Sequence, residues 1–71
     1  MQQILLTKVA ECERRLNLST NPQERSAVEA LHEMWTVLLE DSTTMSPWRL
    51  MQELAAIEEI ESAVERLVPG L

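Results

Sequence analysis

The sequence predicts an all-α protein of three helices, with helices 2 and 3 forming an antiparallel helical hairpin and helix 1 shorter and loosely packed. Three observations carry this. Leu, Ala, Glu and Met dominate, Phe and Tyr are absent, and there is one Gly and three Pro, a composition of helix formers with few breakers. Apolar residues recur at helical spacing in three stretches. Two of those stretches open on Asn21-Pro22 and Ser46-Pro47, in which a capping side chain precedes a proline suited to the first helical position.

Helix 1 is expected from about residue 3 to 16. Leu5, Val9, Cys12 and Leu16 form a narrow stripe at i, i+4, i+7 and i+11, flanked by Ile4 and Leu6. Lys8, Glu11, Arg14 and Arg15 fill the other side. A short helix with so narrow a stripe is weakly held. Residues 17–20, Asn-Leu-Ser-Thr, read as a loop.

Helix 2 is expected from about 22 to 40. Asn21 caps it, Pro22 occupies the first turn, and Glu24 stands where a capping-box acid belongs. On a wheel centred on Leu31, Ala27, Val28, Met34, Trp35 and Leu38 fall within about 60°. Ala30, Val37 and Leu39 widen the apolar arc to about 200°, twice what one neighbouring helix covers. Helix 2 is therefore expected to be central, touching two or more neighbours.

The link 41–45 is short and polar, which makes its flanking helices an antiparallel hairpin. Helix 3 is expected from about 47 to 67, stopped by Pro69-Gly70. Leu50, Ile57, Ile60, Val64 and Leu67 form a heptad-like seam with Leu54 beside it. Glu53 and Glu61 fall inside that arc, about 40° either side of Ile57. A buried, unpaired carboxylate is costly, so each lies at the seam's edge or is met by an arginine, with Arg14, Arg15 or an arginine of a partner protein as candidates. Trp48, Met51 and Ala55 point away from the seam.

Composition narrows the function classes. Seventy-one residues suffice for one domain with a thin core. The single cysteine, Cys12, excludes an internal disulfide and fits a reducing, cytoplasmic setting. No signal peptide is evident, and no run approaches the roughly 20 apolar residues of a membrane span. The formal net charge of −6 argues against nucleic acid and anionic membranes as partners.

Few residues suggest chemistry. Glu29-Ala30-Leu31-His32 matches the Glu-x-x-His element of di-iron carboxylate bundles, but Glu29 lies about 160° from Leu31, on the wet face. The plainer reading is a solvated Glu and a boundary His. Glu58, Glu59, Glu61 and Glu65 read as a solvated charge run, because acid–base work needs a cleft that perturbs the pair. Cys12 reads as a small core residue, with no basic cluster beside it to make it reactive. No catalytic triad, phosphate loop or zinc spacing is present, so neither an enzyme nor a cofactor is expected. Trp48 and Met51 form a partner-binding patch, since Trp concentrates at interface centres and Met packs adaptably; the alternative is that helix 1 covers them.

From about Ala27 onward the chain resembles the small co-chaperones of type III secretion needle subunits. The likeness lies in the hairpin, in Trp48 soon after its turn, and in the last helix, Leu54-Ala-Ala-Ile-Glu-Glu-Ile-Glu-Ser-Ala-Val-Glu-Arg-Leu67. Helix 1 is a departure from it. The resemblance implies a small acidic cytoplasmic protein, without catalysis, that docks on a tetratricopeptide-like chaperone. The wheels, not the resemblance, supply the contact candidates: Trp48, Met51, Leu54, Ile57 and Glu61. Two alternatives stand beside this reading. One is a homodimer in which two hairpins make a four-helix bundle; the other is a dimeric di-iron carboxylate protein.

Overall fold

The computed structural model describes residues 2–67. Its elements are α1 (Gln2–Leu18), α2 (Pro22–Asp41) and α3 (Pro47–Leu67), with no strand among the described residues. The expected stop at Pro69-Gly70 lies outside the described residues.

Both expected caps form. The Asn21 side-chain oxygen accepts from the backbone N–H groups of Gln23 (2.8 Å) and Glu24 (3.3 Å), with Pro22 in the first turn. The Ser46 hydroxyl accepts from the Arg49 N–H at 3.2 Å, and the Ser46 carbonyl from the Leu50 N–H at 2.9 Å. Each cap satisfies donors that have no partner within the helix, worth about 1 kcal/mol apiece. Between α2 and α3 the chain turns through residues 42–46, tied locally where Ser42 and Thr44 donate to the carbonyls of Leu39 and Asp41. So brief a link leaves α3 nowhere to go but back along α2.

The first connection is shorter than the sequence suggested. Asn17 and Leu18, expected in a loop, continue α1, and only Ser19, Thr20 and Asn21 separate the helices. The cause sits on the next helix. The Arg25 guanidinium donates to the Leu16 carbonyl (2.6 Å) and reaches the Ser19 carbonyl at 3.4 Å, serving the acceptors that α1 leaves free at its C-terminal end. The Ser19 N–H donates to the Arg15 carbonyl at 2.9 Å, which adds a last turn.

α2 is the middle of the molecule, in contact with both other helices. It contributes four of the eight buried side chains, Val28, Leu31, Trp35 and Leu38; α1 gives Leu5 and Cys12, and α3 gives Leu50 and Ile57. Val9, Leu16, Met34, Leu39, Met45, Leu54 and Val64 pack around this cluster. The backbone of α1 lies closer along α2 than that of α3 does; what is thin in α1 is its apolar seam, two buried side chains against four in α2. Of the seam expected on α3, Leu50 and Ile57 are buried and Val64 half-buried, while Ile60 and Leu67 remain exposed. The result is a slab of 37 × 20 × 14 Å. Its radius of gyration is 12.3 Å, above the roughly 11 Å of a compact chain this long.

Candidate functional site

The slab has a closed side, where α1 lies, and two faces that α1 leaves uncovered. The closed side is organised around Trp35, fully buried on α2. The Lys8 ammonium of α1 stands 5.5 Å from the centre of the Trp35 ring and donates to Glu61 Oε1 of α3 at 3.1 Å. One lysine thus bridges all three helices through a cation–π contact and an ion pair. A wider pair, Arg15 Nη2 to Glu65 Oε1 at 3.8 Å, lies on the same side. Arg14 and Arg15 are the partners the sequence suggests for Glu61; the cation that reaches it is Lys8. The phase of α1 around α2 turns the Lys8 stem onto the Trp35 face, while Arg15, about two turns further along α1, meets Glu65 instead. Glu53, the companion of Glu61 on the wheel, is exposed.

Burial works to lower the Lys8 pKa, but the hydrogen bond and charge of Glu61, helped by the charges of Glu11 and Glu58, outweigh it and hold the ammonium above its ordinary value. Burial, and then the Glu61 charge, push the Cys12 thiol up. Cys12 is buried in the core as a neutral thiol rather than an activated one.

The first uncovered face is the outer surface of α3. Trp48 is 72% exposed and Met51 57% exposed. Helix 1 does not cover them: its contacts fall on α2 and on the side of α3 that carries Glu61 and Glu65. The other contact candidates lie elsewhere. Leu54 is half-buried and packs on the core, Ile57 belongs to the core, and Glu61 is held by Lys8. The five residues therefore divide into an exposed pair, Trp48 and Met51, and three that help hold the helices together.

The second uncovered face is an open groove of about 670 Å³ between α2 and α3, on the side away from α1. Of the five contact candidates Ile57 alone lines it, together with the exposed Ile60 of the same seam. Its walls carry Val37 and Ile60, 50% and 42% exposed, with Met34, Leu38 and Ile57 beneath. The signal was the width of the α2 arc, whose Ala30 and Val37 edge lines this groove.

Glu29 is exposed and His32 half-buried. Among the described residues no three His, Cys, Asp or Glu side chains stand together as a metal site, and no helix is long and apolar enough to cross a membrane. Comparison with family models, with curated proteins and with solved structures finds no match to this chain.

Proposed function

We propose that this protein is a non-catalytic interaction module that covers apolar surface on a second protein. The observation that supports the reading is the exposed indole of Trp48 beside Met51, on a face to which α1 does not reach. A large aromatic left in water is the residue type on which binding energy concentrates. Docking gains about 25 cal/mol per Å² of apolar area buried, less the cost of ordering the partners. In its most specific form the protein is a small acidic cytoplasmic co-chaperone in type III secretion that binds a tetratricopeptide-like, helical-repeat chaperone. That form rests on the resemblance of the hairpin and its last helix. Co-purification from the native host tests it: Trp48→Ala is expected to lose the bound protein while its helical circular dichroism stays intact. An unchanged yield of the same bound protein would end the role of this face.

A second reading, the homodimeric four-helix bundle, draws on the apolar edge of α2 that α3 leaves open at Ala30 and Val37. Sedimentation decides it, since a monomer at micromolar concentration ends the homodimer.

A further inference from the structure

The α2–α3 groove lies apart from Trp48, which is about 180° from Ile57 around α3, and its chemistry selects a different ligand. Small side chains, Ala30 on α2 and Ala56 on α3, are part of its lining, so that another backbone can approach closely. The apolar floor runs beneath Val37 and Ile60. Along α2 the lining extends from Ala30 to Asp41, about 16 Å at the helical rise, the length of three helical turns. An apolar trough of that length accepts the apolar stripe of a helix.

The rim supplies the charge. Glu33 and Asp41 on α2 and Glu53 on α3 border the trough, against one guanidinium, that of Arg49. None of the four forms an ion pair among the described residues. Three carboxylates and one guanidinium leave a net −2 on the rim, within a chain of net −6. Two copies placed groove to groove would set a net −2 against a net −2, and like charges opposed across an interface are costly. A cationic ligand meets the opposite balance and is steered in by it.

We propose that this groove binds an amphipathic helix of another protein, about three turns long, whose apolar stripe is flanked by Lys and Arg. The occupant is thus a basic helix rather than a second copy of this chain, so this proposal and the homodimer reading of the same Ala30 and Val37 edge exclude each other. The site is independent of the Trp48 face.

The test uses the isotope-labelled full chain and two synthetic helical peptides with one leucine stripe, one flanked by Lys and Arg and the other by Glu. The basic peptide is expected to shift the amide resonances of Ala30, Val37 and Ile60 and to bind at least about tenfold more tightly than the acidic one. That ratio should shrink as salt screens the rim. Because Glu33 and Glu53 are exposed, the double variant Glu33→Lys/Glu53→Lys should keep its fold and reverse the preference. Val37→Asp should weaken the basic peptide at least about tenfold with helical content unchanged, and Trp48→Ala should leave its binding unchanged. Equal binding of both peptides, shifts confined to the Trp48 face, no shifts at all, or groove resonances that move with protein concentration alone would each overturn the proposal. The last of these would give the groove to a second copy.

Discussion

The two tryptophans stand in opposite environments. Trp35 is fully buried on α2, the helix that contacts both others, with a lysine over its ring. Trp48 begins α3 with 72% of its surface in water. The same side chain holds the fold together in one place and is spare in the other. Position on the wheel accounts for the difference: Trp35 faces the side that both other helices share, and Trp48 the side that neither reaches. Not even Trp35 is fully satisfied, for its indole N–H has no hydrogen-bond partner among the described residues. Its apolar area and the lysine above it must offset that loss.

The sharpest way to break the comparison is to truncate both residues in turn. Trp35→Ala should cost about 3–5 kcal/mol, enough to unfold a domain this small, as read by urea denaturation. A Trp35→Ala protein that stayed folded with less than about 1 kcal/mol lost would remove Trp35 from the centre of the fold. Next in size comes the bridge. Lys8→Met strands Glu61 on the closed side, where the two side chains are 23% and 15% exposed, and should cost about 1–2 kcal/mol after allowance for solvent. A cycle with Glu61→Gln should return a coupling above about 0.5 kcal/mol; additive losses would mean that the pair does not act as one.

Alkali should act in the same direction with smaller effect. The Cys12 thiol is raised in the fold, so the unfolded chain releases that proton first, and stability falls as pH climbs past the ordinary thiol range of about 8.5. Lys8 is also raised; its contribution is complete below the ordinary lysine value and is lost as pH rises through the raised one. Melting temperature should therefore decline steadily above about pH 8.5, and Cys12→Ala should delay the onset. Smallest of all, Trp48→Ala should change stability by no more than about 0.5 kcal/mol. In the companion experiment, Trp48→Phe leaves one indole shielded from iodide quenching and Trp35→Phe leaves one open to it.

Much of the fold could be read from local signals. Asn21 and Ser46 mark helix starts because capping needs only the residue and its next turn. The buried residues of α2 and the α1 stripe through Leu5 and Cys12 followed from periodicity, since one face must find a neighbour. What escaped depends on where one helix sits around another. Whether Lys8 or an arginine meets Glu61 is set by the phase of α1 on α2, which no single-helix period fixes. The three-residue loop at 19–21 depends on Arg25 reaching back to Leu16, a contact across nine positions. For the candidate surfaces, the exposure of Trp48 and the spare width of α2 were legible. Which edge of α2 stays open was not, because that too is decided by where α1 docks.

The lone thiol turns this architecture into its own clock. Cys12 sits under the contact between α1 and α2, so a maleimide can reach it only while the first helix is lifted away. Its labelling rate, set against that of a free cysteine, measures how often that departure occurs and how it compares with global unfolding. If the two coincide, the three helices melt as one body; if labelling is faster, the hairpin persists for a time without its first helix.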